Sequence, residues 1–325
     1  MKPELSICIP TYNRSSSLEA LLKKIISLKS NHNIEIIVSN NCSTDNTDFI
    51  CKKIKEQEKN FKYIRQKENL GFALNVEAVI KEANGKYLWL LGDDDLLLDD
   101  SLELIMANIQ ASQSGWLIFN FIKDGKKLFK IPKNSKLFSL DSCLYSLGIW
   151  SSFMSISVLR KDAMTNIEEV KKNNYFAFSL SLKAGAEKGV EFIDSCIVIR
   201  KKDDISKHRF NEINTYAIDF FEYLDGLVKE KQIKQKTRNQ LANQFFFGII
   251  SVYAIKNKLS SKDLEEFWRI YRVHKKVLGF YFTLLPIYFF PRRIIIFFLR
   301  MVIMLNLVIR SSKIRNITNY LLNND

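Results

Sequence analysis

Residues 85–98 read G-K-Y-L-W-L-L-G-D-D-D-L-L-L, a run of strand-forming residues that ends in three adjacent carboxylates. The apolar run from Tyr87 to Leu91 is typical of a strand buried on both faces of a sheet. Neighbouring aspartates repel one another, and desolvating them costs several kcal/mol per ion unless a cation neutralises them. Mg²⁺ and Mn²⁺ prefer carboxylate oxygen and often share their coordination shell with phosphates. The alternative is a solvated acidic turn, with Asp99 and Asp100 capping the next helix.

Upstream of this stretch, strand and helix patterns alternate four times with short connections. This is the pattern of an α/β protein with a parallel sheet and helices on both faces. Such sheets bind ligands beyond the carboxyl ends of their strands. Polar loops follow the first three predicted strands and the aspartates follow the fourth, so a ligand site is expected at that edge. The predicted strands are 5–9, 34–38, 61–65 and 87–91, and the predicted helices end near residues 28, 57 and 83.

The composition is that of a folded protein: 325 residues, 47% hydrophobic and 26% charged, with five prolines. This length allows one large or two modest domains with a substantial core. The five cysteines stand far apart without a C-x-x-C motif, which predicts neither a zinc site nor a disulfide scaffold and suits a reducing compartment. Because the sequence starts directly in a predicted strand, no signal peptide and a cytoplasmic location are expected.

Four segments occur in order at characteristic spacing: S-I-C-I-P-T-Y-N-R, E-I-I-V-S-N-N-C-S-T-D-N-T, E-N-L-G-F-A-L-N and N-G-K-Y-L-W-L-L-G-D-D-D-L-L. Together they resemble the inverting family 2 glycosyltransferases, which have the GT-A fold, a Rossmann-like mixed sheet flanked by helices. The resemblance covers residues 4–105 well, 106–200 loosely and the C-terminal third hardly at all. It implies a GT-A domain over 1–212, with a nucleotide-sugar-binding half (1–105) and an acceptor half (106–212). A helical, basic region is expected at 213–325.

The resemblance implies a donor site for a nucleotide sugar of the UDP, dTDP, CDP or GDP type. The loop that starts at Pro10 and Thr11 would wrap around the nucleotide, with Arg14 near the phosphates. Tyr12 would stack on the base, a contact worth about 1–3 kcal/mol in nucleic-acid binders. Asn40 stands where many relatives have an Asp that accepts a hydrogen bond from uracil. Because an amide both donates and accepts, the identity of the base stays open.

The same resemblance assigns the third loop and the aspartates. Asn69 and Gly71 would contact the donor at a turn where glycine lets the backbone approach a ligand closely. Asp93 would lie near the ribose and the first phosphate. Asp94 is the preferred ligand for Mn²⁺ or Mg²⁺, and Asp95 is the alternative because Asp93-x-Asp95 also spells the family's D-x-D motif. The metal would act as a Lewis acid on the leaving nucleoside diphosphate.

An inverting transfer also needs a general base that deprotonates the acceptor hydroxyl. Relatives often carry an acidic pair before a helix, and here the matching helix is predicted at 175–186. The segment 173–179 contains no carboxylate, so the base is unassigned. The nearest acids are Glu168, Glu169 and Glu187, each more typical of a solvated helix position.

The acceptor half is expected to contain strands at 116–122 and 153–159 around a Lys-rich excursion at 123–136. Trp150, with Ser151 and Ser152, is a weak candidate for the acceptor cleft. Ordinary packing is the default interpretation of such a tryptophan.

The basic excess of the chain is C-terminal: residues 201–325 hold 22 Lys/Arg against 11 Asp/Glu, so +11 of the net +14 lies there. Within 277–310, Arg292, Arg293 and Arg300 interrupt the apolar residues, so no uninterrupted apolar run reaches the ~20 residues of a spanning helix. This pattern favours peripheral contact with the inner face of the plasma membrane, close to a glycan or polyprenyl-lipid-linked acceptor. A helix pair docked in the core and a true membrane span are the alternatives. No nucleic-acid partner is expected, because the cations lie among apolar residues.

The leading hypothesis is therefore a metal-dependent inverting glycosyltransferase of surface-polysaccharide or lipid-linked oligosaccharide assembly. One alternative is a nucleotidyltransferase, but such enzymes usually carry a Gly-rich N-terminal loop and the P-T-Y-N-R loop has no glycine. The other is a catalytically degenerate GT-A module that binds nucleotide or membrane without turnover. The missing carboxylate in 173–179 keeps that alternative open.

Overall fold

A computed structural model describes residues 2–29, 32–130, 139–170, 172, 175–200, 218, 220–245, 264–277 and 281. Its contacts divide the chain into two compact units, Met1–Asp203 and Asp204–Asp325. The predicted domain boundary between residues 212 and 213 lies outside the described residues and stays a prediction.

The first unit alternates strands and helices as the sequence predicts for its first hundred residues. Short 3-10 turns at Gly148–Ser152 and Met154–Ile156 precede β8, and others at Lys161–Ala163 and Ile167–Glu169 follow it. The elements are β1 (Leu5–Thr11), α1 (Ser15–Leu28), β2 (Ile34–Asn40), α2 (Thr47–Gln57), β3 (Phe61–Arg65), α3 (Phe72–Glu82), β4 (Tyr87–Leu90), β5 (Leu96–Leu97), α4 (Ser101–Ala111), β6 (Trp116–Lys123), β7 (Lys126–Lys127), α5 (Leu140–Leu147), β8 (Ser157–Arg160), α6 (Phe176–Lys188) and β9 (Val190–Ile199).

These strands form one mixed sheet in the order β3-β2-β1-β4-β8-β6-β9-β5, with β7 paired to β6. The pairs β3-β2, β2-β1 and β1-β4 are parallel, which confirms the arrangement predicted for the first half. β8 is antiparallel to both β4 and β6, and β9 is parallel to β6. β4, β6 and β9 therefore run in the same direction, and their carboxyl ends lie at the same edge of the sheet.

The central strands lie in the core along their whole length. Every residue of β1, β2 and β4 is buried, as the apolar run in residues 87–90 predicts for a strand covered on both faces. The indole nitrogen of Trp89 donates to the backbone carbonyl of Ser155 at 2.9 Å, and the Tyr87 hydroxyl donates to that of Ser112 at 2.9 Å. Because these large side chains have their polar atoms satisfied, their burial fixes β4 and the aspartates that follow it.

The strand predicted at 153–159 is wrong in its first half. Met154–Ile156 forms a 3-10 turn, and β8 begins only at Ser157. In this turn the Ser155 hydroxyl donates to Asp95 of the aspartate loop. The helix predicted at 175–186 is present as α6 and ends at Gly189, which has the left-handed φ of +80° that favours glycine.

The second unit is helical in its described part, with α7 (Phe221–Lys229), α8 (Gln235–Phe245) and α9 (Leu264–His274). Arg238 of α8 is buried and makes two hydrogen bonds to the Asp225 carboxylate, at 2.7 and 3.1 Å. It also donates to the Val273 carbonyl of α9 at 3.0 Å, so one guanidinium joins all three helices. Within the described ranges, no helix is long and apolar enough to cross a membrane. The predicted membrane contact at 277–310 falls outside the described residues except for Val277 and Tyr281.

A buried carboxylate in β2 joins the neighbouring strands of the first unit. Glu35 accepts hydrogen bonds from the Ser6 hydroxyl at 2.6 Å and from the backbone N–H groups of Asn84 and Gly85, and it pairs with Lys62 at 2.8 Å. Burial alone would raise the pKa of Glu35, but the hydrogen bonds from Lys62, Ser6 and Asn84 hold the pKa below its ordinary value. The ionised form is therefore the one that links β1, β2, β3 and the turn before β4.

We predict that Glu35→Gln lowers the free energy of unfolding by about 1–3 kcal/mol at pH 7, because the Lys62 ion pair is lost and buried donors are poorly matched. A folded-state pKa below the unfolded value contributes stability above the unfolded pKa, and this contribution is lost as the pH falls through the folded pKa. The gap in unfolding free energy between wild type and variant should therefore shrink in urea unfolding as the pH falls below 4.5, the ordinary pKa of a glutamate. Glu19→Gln, in an exposed pair with Lys23, is the control with little effect. A gap that does not change with pH would contradict the assignment.

Candidate active site

The three aspartates after β4 have three different environments. Asp93 is buried, and its carboxylate accepts hydrogen bonds from the Thr11 hydroxyl at 2.7 Å and from Nη1 of Arg14 at 3.0 Å. Burial raises the pKa of Asp93 to about 6, although the neighbouring Arg14 charge and the Thr11 hydroxyl both act to lower it. At pH 7 Asp93 is therefore ionised, and the Arg14 guanidinium lies beside its charge.

Asp94 is the accessible member of the three. Its side chain is 28% exposed, against 8% for Asp93, and it forms a close ion pair with the same Nη1 atom of Arg14. Arg14 is itself 49% exposed. One cation thus bridges two carboxylates at the open edge of the site, which is where a divalent ion would be expected to bind.

Asp95 points back into the protein. The Ser155 hydroxyl donates to Oδ2 of Asp95 and also accepts from the backbone N–H of Gly92 at 2.9 Å. A Cβ atom at Gly92 would lie 2.9 Å from the same carboxylate oxygen, so glycine is needed for this close approach. The loop is therefore closed on itself by Asp95, while Asp94 remains on the outside.

This arrangement fits a divalent cation held jointly with a ligand. In the described part of the chain, no three His, Cys, Asp or Glu side chains form a ready-made metal cage. Mg²⁺ characteristically uses one or two carboxylates and completes its shell with substrate phosphates and water. Asp94 has the exposure that this role requires, whereas the Asp95 carboxylate is used by Ser155. The predictions of Asp94 and Asp95 as ligands stay predictions, with the geometry favouring Asp94.

The loops after β1 and β2 are hydrogen-bonded to each other. The Asn13 side-chain oxygen accepts from the backbone N–H of Thr44 at 2.8 Å, and the Asn13 backbone N–H donates to the Ser43 hydroxyl at 2.8 Å. The Asp45 carboxylate accepts from the backbone N–H of Ser15 at 2.8 Å and from Thr47 at 3.1 Å. The Asp45 carboxylate therefore accepts from the first backbone N–H of both α1 and α2.

Asn40 is fully buried, and both ends of its amide are used inside the protein. Its oxygen accepts from the Ser43 backbone N–H at 2.8 Å, and its nitrogen donates to the Tyr63 hydroxyl at 2.9 Å. Tyr63 in turn donates to Asp48 at 2.7 Å. Because Asn40 is fully buried in this conformation, its predicted contact with a base is not supported by the geometry and stays a prediction.

The neighbouring amide joins the second loop to the third. Asn41 donates to the Asn69 side-chain oxygen at 2.8 Å and accepts from the Leu70 backbone N–H at 2.8 Å. Asn69 also accepts from the Gly71 backbone N–H at 2.9 Å. Gly71 has a φ of +79°, which L side chains rarely adopt, and it begins α3. The predicted residues Asn69 and Gly71 therefore lie together on one ordered turn at the site's edge.

Of the residues predicted to contact the donor from the first loop, Pro10 and Thr11 lie instead inside β1 and are buried. Tyr12 follows the strand and is 43% exposed, so its ring is open to a stacking partner. The donor contacts of these residues and of Arg14 stay predictions.

Sequence reasoning missed Asn75, which lies in the first turn of α3. Its side-chain nitrogen donates to the Ser39 carbonyl at 3.1 Å and to the Thr11 carbonyl at 3.4 Å, so it holds the ends of β1 and β2 together. Its oxygen is buried and has no hydrogen-bond partner among the described residues. In the sequence, the only indication that Asn75 belongs to the site was its position at the end of the E-N-L-G-F-A-L-N segment.

The candidates for the general base are not brought to the site. Glu187 lies near the C-terminus of α6, just before β9 begins at the amino edge of the sheet. α6 has 13 residues, or roughly 20 Å of helix, so Glu187 lies towards the edge opposite the aspartates and its role as general base stays a prediction that this placement does not favour. Glu168 is exposed on a 3-10 turn, and the side chain of Glu169 lies outside the described positions. These two stay unassigned.

The chain belongs to glycosyl transferase family 2, whose family model matches residues 6–203. It is 26% identical over 305 residues to the abequosyltransferase RfbV of Salmonella typhimurium, covering 85% of this chain and 91% of that one. It is 32% identical over 105 residues to the GalNAc(5)-diNAcBac-PP-undecaprenol beta-1,3-glucosyltransferase of Campylobacter jejuni, covering 32% of this chain and 34% of that one. The protein is therefore a glycosyltransferase, and the nucleotidyltransferase alternative is set aside.

Solved structures confirm the predicted GT-A fold. The structure of S. aureus TarS residues 1–349 with UDP-GlcNAc has a TM-score of 0.59 at 19% identity, over 84% of this chain and 79% of that one. The mannosyltransferase PcManGT from Pyrobaculum calidifontis, in complex with GDP-Man and Mn²⁺, has a TM-score of 0.55 at 12% identity. That likeness covers 99% of this chain and 85% of the other.

We predict that Ser155→Ala uncouples Asp95 from the Gly92 turn and weakens the stabilisation that a nucleoside diphosphate and metal together provide. Stability without ligand should fall by about 1–3 kcal/mol, because a buried carboxylate loses a donor. Ser157→Ala is the matched control, since the Ser157 hydroxyl is also buried and accepts from the Trp116 indole at 3.1 Å. Thermal unfolding with and without ligand measures both effects. An equal loss of the ligand response in both variants would contradict the role given to Ser155.

Proposed function

We propose that this glycosyltransferase is metal-dependent and inverting, and that it moves a sugar from a nucleoside-diphosphate sugar to a glycan or lipid-linked acceptor in surface-polysaccharide assembly. The observation that carries the proposal is the graded burial of the three aspartates at the meeting point of three loops. Asp93 is fixed by Thr11 and Arg14, Asp95 closes the loop, and Asp94 is left accessible. A structural acidic turn would not need an arginine from another loop to bridge its carboxylates.

The residues of the chain have separable roles in this proposal. Tyr12 offers an exposed ring to the base, and Asp93 lies one residue from Asp94, where the ribose and first phosphate would be. Arg14 is already at the carboxylates, so it can pair with phosphate oxygens once a metal takes its place at Asp94. A divalent cation bound there would stabilise the charge of the departing nucleoside diphosphate as a Lewis acid. An acceptor hydroxyl would attack the anomeric carbon from the opposite side.

The neighbours support the donor and acceptor classes. TarS is solved with UDP-GlcNAc and PcManGT with GDP-Man and Mn²⁺, which favours a nucleotide-sugar donor and a divalent metal here. The Campylobacter relative is named for an undecaprenol diphosphate-linked acceptor, and this favours a lipid-linked acceptor. The base of the donor nucleotide stays open, because Asn40 and Asn41 are both occupied within the protein.

We predict that one nucleotide among UDP, dTDP, CDP and GDP raises the melting temperature only with Mn²⁺ or Mg²⁺ and not with EDTA. A ligand at 100 times its Kd adds ~2.7 kcal/mol to the free energy of unfolding. Asp94→Ala and Asp94→Asn should abolish the response. Asp99→Ala removes a carboxylate that is 92% exposed on the same loop and should leave the response unchanged.

Absence of stabilisation by every nucleotide and metal would contradict the proposed donor site. With the donor known, the anomeric configuration of the product, read by NMR, decides between inversion and retention. Nucleotide binding without turnover on any acceptor would instead favour the degenerate module.

We also propose that the protein binds peripherally to the cytoplasmic face of the plasma membrane through residues 277–310. The support is the sequence alone: arginines among apolar residues and a net charge of +11 in residues 201–325. The full chain should float with vesicles that contain phosphatidylglycerol, less so as salt is raised, and not with pure phosphatidylcholine. No flotation with either vesicle would overturn this proposal.

A further inference from the structure

A group of cationic and aromatic side chains lies on the side of the aspartate loop away from the donor residues. The Lys123 ammonium is 5.3 Å from the centre of the Trp150 ring, and the Arg200 guanidinium is 5.1 Å from the same centre. Arg200 is also 5.7 Å from the Phe153 ring. We call these four residues, Lys123, Trp150, Phe153 and Arg200, the cation–aromatic platform.

The platform is built on a rigid base. Phe121 of β6 is fully buried, and its ring centre is 4.8 Å from that of Phe153 and 6.1 Å from that of Trp150. The Arg200 backbone N–H donates to the Ile122 carbonyl at 2.9 Å, which continues the pairing of β6 with β9. Trp150 and Phe153 remain partly exposed above this base. Buried packing below and partial exposure above are what a binding surface requires.

Two connections, one through a side-chain hydrogen bond and one through strand pairing, join the platform to the aspartate loop. Trp150 and Phe153 lie on the same short segment as Ser155, whose hydroxyl holds Asp95. Arg200 follows Ile199, which pairs with Leu96, and Leu96 directly follows Asp95. The donor residues come from loops after β1, β2 and β3, whereas the platform comes from β6, β9 and the segment before β8. The aspartate loop therefore separates the two groups.

The platform brings two like charges to one aromatic ring. A cation over an indole is stabilised by about 0.5–2 kcal/mol, but two cations beside one ring also repel each other. Lys123 also forms an ion pair with the adjacent, partly exposed Asp124 at 2.7 Å. An anionic ligand that contacts both side chains would accept charge-assisted hydrogen bonds from a guanidinium and an ammonium together.

We infer that the cation–aromatic platform binds an anionic group of the acceptor, either the phosphate of a lipid-linked glycan or the carboxylate of an acidic sugar. This rests on the proposed function, because an inverting displacement places the acceptor opposite the departing diphosphate. Lys123 and Arg200 contact the anion. Trp150 is a positioning residue that holds the two cations together, and Phe153 supports Arg200.

The first test measures binding of two anionic probes, geranyl diphosphate and methyl glucuronide, and of neutral octyl glucoside to the full chain in EDTA. Calorimetry should show that one anion binds and that the neutral glycoside does not. Lys123→Gln and Arg200→Gln should each weaken that binding about tenfold or more, a loss equal to ~1.4 kcal/mol. Lys86→Gln is the matched control, because Lys86 also lies 5.6 Å from an aromatic ring, that of Tyr87, at the other end of β4.

The probe that binds identifies the source of the anion. If geranyl diphosphate binds and both Lys123→Gln and Arg200→Gln lose this binding, the anionic group of the acceptor is a lipid phosphate. If methyl glucuronide behaves in this way instead, the anionic group is the carboxylate of an acidic sugar. Trp150→Leu should weaken the same binding, and Trp150→Phe should restore most of it because a ring is retained. Binding of neither anion, or binding that persists in Lys123→Gln and Arg200→Gln, would overturn the inference.

The second test separates the platform from the donor site. Metal-dependent stabilisation by the nucleotide should be the same in wild type, Lys123→Gln and Arg200→Gln, while the KM for the acceptor rises. A loss of nucleotide stabilisation in these variants would assign the platform to the donor and overturn its acceptor role. A wild type that no nucleotide stabilises would count against the proposed function alone, since the EDTA binding test does not depend on a donor.

Discussion

The structure depends most on how three adjacent carboxylates are accommodated at the end of one buried strand. β4 is covered on both faces, so the chain must leave the core where the aspartates begin, and three charges cannot all be desolvated there. The three aspartates therefore have different environments. Asp93 is buried against Thr11 and Arg14, Asp95 is hydrogen-bonded to Ser155, and Asp94 remains accessible. One arginine faces two of the charges, which leaves the site electrostatically suited to a further cation.

The surrounding loops are organised to keep that arrangement in place. Asp45 accepts from the first backbone N–H of two helices, Asn41 connects the second loop to the third, and Asn75 joins the ends of β1 and β2. Most of these groups bond to backbone atoms of a neighbouring loop, so the donor side is preorganised rather than assembled by the ligand. On the other side of the aspartate loop, the segment 148–156 carries both Ser155, whose hydroxyl holds Asp95, and the two aromatic rings of the platform.

The sequence predicted the parallel half of the sheet because its strands are short apolar runs with polar ends, and residues 61–65 form β3 as expected. The family resemblance supplied the GT-A fold and the aspartate motif. Local sequence pattern is insufficient where long-range contacts contribute: Ser155 lies in a turn and bonds to Asp95, 60 residues away, where the pattern predicted a strand. The pattern also does not show that Glu187 lies at the far end of α6. The hydrogen-bond network of Asn40, Tyr63 and Asp48 could not be predicted from the spacing of these residues in the sequence. The roles of Lys123 and Arg200 depend on strand pairing across about 80 residues of sequence, which periodicity cannot show.

The central claim is that Asp94 and a nucleoside diphosphate share one divalent ion. Electron paramagnetic resonance of Mn²⁺ tests it directly, because the ³¹P hyperfine coupling reports phosphate oxygens in the metal's coordination shell. The account predicts tight Mn²⁺ binding only in the presence of the nucleotide, with ³¹P coupling, and loss of this signal from the protein in Asp94→Ala. Equal Mn²⁺ binding without nucleotide, or an unchanged protein-bound signal in Asp94→Ala, would contradict it.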